Sequence, residues 1–170
     1  MLSIPESREK GFRILVKEYQ ERMYWTIRRI IQDHDDANDV LQNAFIKAYR
    51  GIDRFKGESG LYTWLHRIAI NESLTFLKRR KRENNFRVSI NNGHEISDPH
   101  LDAEGTLNQL RKALILLPEK QRIVFNLRYY EEMKYAEMSK LLNTSEGALK
   151  ASFHHAVKKL KEYLLRSQIS

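Results

Sequence analysis

Apolar residues recur at spacings of three and four along most of this chain, and this period constrains its fold more than any other feature. The pattern is typical of amphipathic helices, because one helical turn takes about 3.6 residues. With three prolines and seven glycines among 170 residues, the chain permits long helices. No segment alternates apolar and polar residues for long enough to demand a strand. The sequence therefore predicts an all-α protein.

The helical period fails between about Glu83 and Glu104. This stretch is rich in Asn, Asp, Ser and Gly, a composition typical of extended or disordered linkers. A structureless segment of this length is uncommon inside one compact domain, so it favours two domains. We expect a three-helix bundle in residues 1–85, a flexible linker in 86–105 and a four-helix domain in 106–170.

Three apolar stripes predict the helices of the N-terminal bundle. The first helix is expected from about Glu6 to Gln32. The second follows the sequence DHDDAND, in which Asp35 or Asp36 can cap its first free N–H groups. Glycines and a serine in RFKGESG end the second helix in a loop, and the third helix ends in KRRKR. Three helices with apolar faces of this width can close one small core.

Positive charge is concentrated in the two predicted domains. The formal net charge is +8, and by position it is +5 in residues 1–85, −3 in 86–105 and +6 in 106–170. Two basic regions on either side of an acidic strip indicate a polyanion that is contacted at two places. From charge alone, a second interpretation stays open, in which the charge only keeps a helical protein in solution.

The chain contains no cysteine. Disulfides, thiolate nucleophiles and cysteine-ligated metal centres are therefore excluded, and a reducing compartment fits best. The longest uninterrupted apolar stretch is ALILLP, whereas a membrane span needs about 20 residues. The N-terminus has no apolar run of signal-peptide length. We expect a cytoplasmic protein without membrane insertion.

The segment MSKLLNTSEGALK joins two predicted helices by a tight turn. The first helix runs from Tyr135 to Leu142, and Asn143 can adopt a positive φ at modest cost. Thr144 or Ser145 can cap the second helix, which continues to about Arg166. A short helix, a turn of a few residues and a longer helix form a helix-turn-helix.

The second helix of this motif has two chemically different faces. Its apolar stripe, from Leu149 to Leu164, is expected to pack inward. The opposite face combines a small residue, two polar rings and cations: Lys150, Ala151, His154, His155 and Lys158. In a major groove, small side chains let a helix approach the bases, polar rings reach base edges and lysines neutralise phosphates. The alternative is a plain helical bundle with histidines on its wet surface.

The adjacent histidines do not predict a metal site. Neighbouring side chains on a helix diverge by about 100°, so they rarely bind one ion. No His, Asp or Glu follows either histidine at a spacing of four. We expect no metal and no cofactor.

The stretch LYTWLHRIAINESLTFLKRRKR combines aromatic side chains with a cationic end. Aromatic rings can stack on unpaired bases while cations follow the phosphates. Trp64 lies on the apolar stripe, so we expect it in the core. The candidates for base contact lie away from that stripe: His66, Arg67, Ile70, Asn71 and Thr75. The run KRRKR, with Lys78 and Arg79, is expected to meet phosphates, although a solvated helix end would carry the same charges.

The second predicted helix carries a stripe that is not cationic and so does not look like a DNA surface. Within DANDVLQNAFIKAYR, the stripe combines three polar residues with one apolar residue: Asp39, Gln42, Asn43 and Ile46. Hydrogen-bonding groups beside an apolar contact are typical of a protein-docking face. An ordinary polar face would show the same residues, so both interpretations stay open at this point.

Two long segments resemble known regions of one family. The segment DANDVLQNAFIKAYRGIDRFKGESGLYTWLHRIAINESLTFLKRRKR resembles region 2 of bacterial sigma factors of the extracytoplasmic-function (ECF) type. The segment LPEKQRIVFNLRYYEEMKYAEMSKLLNTSEGALKASFHHAVKKLKEYL resembles their region 4. The resemblance implies a subunit without enzymatic activity that binds core RNA polymerase. It also implies recognition of the −10 and −35 elements of promoter DNA, with melting at the −10 element.

The resemblance also implies roles for individual residues. Docking on the β′ clamp helices of the polymerase is implied for Asp39, Gln42, Asn43 and Ile46. At the −10 element, a flipped base would be received by Phe55, Ser59 and Asn71, with Arg67, Ile70, Lys78 and Arg79 nearby. At the −35 element, the reading positions would be Lys150, Ala151, His154 and His155, flanked by Lys158. The polymerase β flap and an anti-sigma factor are further partners that the family implies.

Two other classes of protein compete with this interpretation. A stand-alone helix-turn-helix repressor or activator would explain the C-terminal half but leaves the stripe on the second helix without a role. A nuclease or transposase subunit would need clustered carboxylates for metal ions. The acids of DHDDAND crowd one loop and are better explained as helix caps. A repressor binds duplex DNA unaided, whereas a sigma factor should need core polymerase.

Overall fold

The computed structural model describes residues 4–86 and 106–167, and every regular element in these ranges is helical. The elements in chain order are α1 (Ile4–Ile30), α2 (His34–Gly51), a 3-10 helix (Ile52–Arg54), α3 (Leu61–Phe86), α4 (Thr106–Ile115), α5 (Glu119–Tyr129), α6 (Tyr135–Leu142) and α7 (Glu146–Ser167). The all-α prediction is confirmed. The predicted linker lies outside the described residues except for Phe86, through which α3 continues.

The helices form two compact units, α1–α3 and α4–α7, as predicted. In the first unit, α1 and α3 supply large apolar side chains such as Met23, Ile27 and Leu65, all fully buried. The facing side of α2 is lined by small residues that are also fully buried: Ala37, Ala44 and Ala48. Because alanine side chains are small, the axis of α2 can come close to the axes of both α1 and α3, and α2 packs against both helices.

The start of α2 differs from the prediction. The cap is Asp33, whose side chain accepts from the Asp36 N–H at 2.9 Å, and neither Asp35 nor Asp36 acts as the cap. Asp33 has the extended backbone that a capping residue needs, with φ −83° and ψ 137°. The helix therefore starts at His34, two residues earlier than a cap at Asp35 would allow.

In the second unit, α7 packs against all three other helices. Its core includes Leu114, Leu117 and Leu160, with Ala156 fully buried between the helices. The Phe125 ring lies parallel to the Phe153 ring of α7, with centroids 5.7 Å apart. The other three helices therefore all pack against α7, and one face of α7 stays exposed.

The helix-turn-helix has the predicted geometry. Asn143 adopts the left-handed conformation after α6, with φ 48° and ψ 51°. The Ser145 hydroxyl accepts from the Ala148 N–H at 3.3 Å, so Ser145, one of the two predicted candidates, caps α7. Asparagine tolerates positive φ, and a serine at a helix start accepts a free N–H, so local chemistry explains this turn.

Candidate nucleic-acid interface

The outer face of α7 consists of exposed residues. All five predicted DNA contacts lie on it: Lys150, Ala151, His154, His155 and Lys158. Leu149 and Ala156, on the opposite side of the helix, are fully buried. The rings of His154 and His155 lie at 68° to each other with centroids 6.1 Å apart, so they point in different directions. The face thus offers two separate polar rings to a groove, with lysines at either end.

Lys150 also contacts the first helix of the motif. Its Nζ atom lies 5.7 Å from the centroid of the Tyr135 ring, and the Arg128 guanidinium lies 5.2 Å from the same centroid. The attraction between a cation and an aromatic face is modest at exposed sites. It nevertheless groups two cations around one ring beside α7, a cluster that the linear sequence did not predict.

The predicted docking stripe on α2 lies on the surface. All four of its residues are exposed: Asp39, Gln42, Asn43 and Ile46. Ile46 keeps 48% of its surface in solvent, which is high for a large apolar side chain. Beside the stripe, Lys47 pairs with Glu72 of α3. The arrangement combines an accessible apolar contact with flanking hydrogen-bonding groups.

The loop between the 3-10 helix and α3 holds two predicted −10 contacts. Phe55 and Ser59 are both half-buried. The Phe55 ring packs on Trp64, with centroids 5.3 Å apart and an angle of 41° between the planes. Trp64 was expected inside the core, and it is half-buried at the edge of the core. The two rings together form a partly open aromatic surface next to the loop.

The other predicted −10 contacts lie on α3. Arg67, Asn71, Lys78 and Arg79 are exposed there, as expected. Ile70 is 1% exposed, so the interpretation that it lies away from the core is wrong. Because α3 packs against both α1 and α2, its buried face is wider than the single stripe on which the prediction was based. A side chain buried this deeply has no surface with which to contact DNA.

The cationic end of α3 is partly engaged in contacts within the unit. Arg80 pairs with Asp36 of α2 at 3.0 Å. Arg79 lies 3.7 Å from the Glu83 carboxylate and 5.5 Å from the centroid of the Phe76 ring. The run KRRKR is therefore neither uniformly solvated nor uniformly available to phosphates.

An aromatic group joining α1 and α3 was missed by the sequence reasoning. The Tyr62 ring lies 5.7 Å from the Tyr19 ring and 5.5 Å from the His66 ring, measured between centroids. The Arg22 guanidinium lies 4.0 Å from the Tyr62 centroid. Tyr19 and Tyr62 are far apart in sequence, so only the packing of α1 against α3 brings them together.

Two carboxylates at the start of α2 have shifted pKa values in opposite directions. The pKa of Asp33 is lowered, chiefly because its carboxylate accepts the Asp36 N–H. The pKa of Asp36 is raised, first by burial and then by the nearby negative charge of Asp33. The ion pair of Asp36 with Arg80 opposes this rise without cancelling it. The capping interaction therefore favours the charged form of Asp33.

Arg122 is a charged residue inside the second unit, 8% exposed. Burial lowers the pKa of its guanidinium, and the Glu119 carboxylate works against that effect. Its Nε atom finds no acceptor among the described residues. The guanidinium stays charged at neutral pH, because its ordinary pKa is far above neutrality.

Neither a metal centre nor a membrane segment emerges from the described ranges. The side chains described there include no cluster of three or more His, Asp or Glu residues that could hold a metal ion. Within residues 4–86 and 106–167, no helix combines the length and the apolarity that crossing a bilayer requires.

The architecture is that of a helix-turn-helix unit paired with a separate three-helix unit. The chain belongs to the sigma-70 family of RNA polymerase sigma factors, in its ECF group: residues 15–83 match sigma-70 region 2 and residues 107–160 match sigma-70 region 4. The resemblance seen in the sequence is thereby confirmed.

Curated relatives agree over nearly the whole chain. The RNA polymerase sigma-H factor of Pseudomonas aeruginosa is 30% identical over 176 residues, covering 93% of this chain and 90% of that protein. The ECF RNA polymerase sigma-E factor of Escherichia coli K12 is 32% identical over 161 residues, covering 87% of this chain and 83% of that protein.

Solved structures show the same fold. The sigma factor RpoE of Bartonella quintana, in complex with the anti-sigma factor NepR, has a TM-score of 0.68 and 25% identity, covering 91% of this chain and 97% of that one. CnrH in complex with the cytosolic domain of CnrY has a TM-score of 0.55 at 22% identity, covering 92% and 88% of the two chains. At that identity the second likeness supports the fold alone.

Proposed function

We propose that this chain is a non-catalytic specificity subunit of RNA polymerase that docks through α2, binds the −10 element through α3 and its preceding loop, and binds the −35 element through α7. Residues 1–85 and 106–170 would be the two binding domains, joined by 86–105. Because its partner polymerase transcribes in the bacterial cytoplasm, this chain would work there.

The exposed stripe on α2 carries the proposal. Ile46 would supply an apolar contact to the β′ clamp helices, and Asp39, Gln42 and Asn43 would supply hydrogen bonds around it. On the opposite side of α2, Ala44 and Ala48 are fully buried, so the helix is rigidly seated behind this face. A stand-alone DNA-binding regulator would have no use for such a stripe.

At the −10 element, we assign the flipped base to the aromatic surface beside the loop. Phe55 is supported from behind by Trp64 and has part of its surface in solvent. Ser59 and Asn71 would hydrogen-bond the base, and exposed Arg67, Lys78 and Arg79 would follow the backbone. Ile70 is not among the proposed contacts. Flipping costs a few kcal/mol per base, which these contacts would offset so that melting needs no ATP.

At the −35 element, α7 would enter the major groove. Ala151 lets the backbone come close, and His154 and His155 would read base edges on two sides of it. Lys150 and Lys158 would neutralise phosphates. We further propose contact with the polymerase β flap, as the family resemblance implies. We also propose control by an anti-sigma factor, since the RpoE sigma factor of Bartonella quintana was solved in complex with one.

Run-off transcription tests the proposal directly. Purified core polymerase with this chain should start transcription at defined sites in a pool of genomic fragments, and core polymerase alone should not. The chain alone should leave the same fragments unshifted in a gel. Tight binding of duplex DNA without polymerase, together with no transcription start, would instead identify a stand-alone repressor or activator.

A further inference from the structure

Arg8 lies on α1, before the residues that match sigma-70 region 2, and its side chain reaches the far end of α2. Its Nη2 atom donates to the Tyr49 carbonyl at 2.7 Å and pairs with the Asp53 carboxylate at 2.9 Å. Its guanidinium carbon lies 4.6 Å from the centroid of the Tyr49 ring. One side chain therefore contacts both the last turn of α2 and the 3-10 helix that follows it.

These contacts suit the chemistry of a helix end. The carbonyls in the last turn of an α-helix lack partners within the helix, and that end favours cations. Phe12, one turn along α1 from Arg8, packs edge-on against the Tyr49 ring with centroids 5.0 Å apart. Two residues of α1 thus hold Tyr49, which ties the end of α2 to α1.

The joint between α2 and the 3-10 helix, which Arg8 contacts, also determines where Phe55 lies. Asp53 is two residues before Phe55, and the Phe55 N–H closes the turn by donating to the Ile52 carbonyl at 3.1 Å. The end of α2 is also tightly packed, since a Cβ on Gly51 would lie 3.3 Å from Trp64 Cζ2. A displacement of this joint therefore changes the position of Phe55 relative to Trp64 and α3.

We propose that Arg8 is a positioning residue for the −10 base pocket, by which we mean the aromatic surface of Phe55 and Trp64 beside the loop. Arg8 would act by fixing the end of α2 and the 3-10 helix, which directly precede Phe55 in the chain. The inference rests on the proposed −10 role of Phe55. The Arg8 and Asp53 side chains are 35% and 64% exposed, and an ion pair at such exposure contributes little to overall stability. Pocket geometry, in contrast, is sensitive to small displacements.

The test uses the full-length chain with core polymerase. The rate of open-complex formation is measured on two templates, one with an intact −10 element and one lacking the single −10 base whose removal slows the wild type most. The variants are Arg8→Ala, Arg8→Lys and Asp53→Asn. Arg13→Ala is the matched control, because Arg13 lies on the same helix with 82% of its side chain exposed.

We expect Arg8→Ala to slow open-complex formation about tenfold on the intact template, from misplacement of Phe55. On the template that lacks the base, its effect should be small, because no base has to be seated. Arg8→Lys keeps the charge but loses the guanidinium plane that lies against the Tyr49 ring, so its rate should lie between those of wild type and Arg8→Ala. Asp53→Asn weakens the ion pair but leaves the contacts of Arg8 with Tyr49, so it should also slow the intact template, by less than Arg8→Ala does. Arg13→Ala should match the wild type.

Two results would overturn the inference. One is the same rate for Arg8→Ala and Arg13→Ala on the intact template, and the other is an equal fold-loss on both templates. If thermal unfolding shows that Arg8→Ala does not fold, Asp53→Asn replaces it, and its rates on the two templates are compared in the same way. Phe55→Ala tests the pocket separately: if it leaves the intact template unaffected, the −10 assignment fails. If Phe55→Ala slows that template and Arg8→Ala does not, the inference about Arg8 alone fails.

Discussion

Two non-glycine residues of the helix-turn-helix unit have positive φ, Glu132 at 49° and Asn143 at 48°. Every side chain with a Cβ is strained in this region, but asparagine offsets the cost because its short polar side chain can hydrogen-bond locally, and glutamate is too long to do so as readily. Asn143 therefore suits its turn, and Glu132 is held in place by the packing around it. Met133, the next residue, is 7% exposed and its N–H donates to the Leu127 carbonyl at 3.0 Å.

Replacing Glu132 with glycine should stabilise the protein. Glycine has no Cβ and adopts positive φ freely, so we expect Glu132→Gly to raise the free energy of unfolding by about 1 kcal/mol. Urea unfolding followed by far-ultraviolet circular dichroism measures this. Glu132→Ala is the control, because alanine keeps a Cβ and gains no relief at positive φ. Equal destabilisation by both changes would contradict the account.

The cap at Asp33 should make stability depend on pH. Its lowered pKa means that the folded state holds the proton less tightly than the unfolded chain. The stability from its charge is therefore present above the ordinary carboxyl pKa and lost as the pH falls through the lowered value. In Asp33→Asn, the amide oxygen still caps α2 but cannot ionise.

We expect Asp33→Asn to be less stable than the wild type at neutral pH and to approach it at acidic pH. Asp33→Ala removes the cap as well as the charge, so it should be less stable at every pH. Thermal unfolding across this range measures both differences. Parallel curves for the wild type and Asp33→Asn would show that the charge of Asp33 makes no contribution.

Among the elements, α7 contributes both to the core of its unit and to the proposed DNA-binding face. One side of it forms the core of its unit through Leu149 and Ala156, and the other side is exposed. Its first turn relies on the Ser145 hydroxyl, which accepts the Ala148 N–H. The N-terminal end of α7, which would approach the bases, is thus capped by one side chain, that of Ser145.

Removing that cap should weaken both stability and DNA binding. We expect Ser145→Ala to lower the free energy of unfolding by about 1 kcal/mol, because a free N–H loses its acceptor. Ser145→Asp should retain the cap, and Ser152→Ala, in the middle of α7, is the control. Urea unfolding gives the stability, and promoter binding by the holoenzyme gives the second readout. A Ser145→Ala protein as stable as the wild type would argue against the cap.

Substitutions at two residues of the exposed face of α7 should impair DNA binding in different ways. His154→Ala should relax the preference at one −35 base pair by about 1–3 kcal/mol, because a base-edge contact is lost. Lys158→Ala should weaken binding to all promoters alike and reduce the salt dependence by about one counterion. Holoenzyme binding to single-base −35 variants at several salt concentrations separates the two. Identical profiles would contradict the division into base reading and phosphate contact.

At the scale of the whole molecule, binding to polymerase should be separable from folding. Asp39→Lys reverses a charge at the N-terminal end of the α2 stripe, where the side chain is exposed. We expect the variant to keep its thermal stability but to lose binding to core polymerase and run-off transcription, since a rim charge of the wrong sign disfavours the complex. Glu18→Lys, an exposed change of equal charge on α1, should keep its thermal stability, its binding to core polymerase and its activity in run-off transcription. Retained binding by Asp39→Lys would refute the docking role of α2.

Local chemistry made much of the fold predictable. The bounds of α6, the positive φ of Asn143 and the cap at Ser145 all follow from interactions within a few residues. The exposed face of α7 also follows, because helical periodicity alone sorts its apolar and polar residues. The cap of α2 was predicted wrongly because four acidic residues lie close together there, and composition does not say which of them has the extended backbone.

The sequence by itself determined the helices, their division into two units and the family, since each depends on periodicity, composition and motif order along the chain. Only the tertiary structure decided which faces are buried where one helix packs against two others, as at Ile70. It also decided the contacts between distant residues, such as Arg8 with Asp53 and Tyr19 with Tyr62. Such contacts depend on how helix axes cross, which is set by the volumes of all the side chains between them.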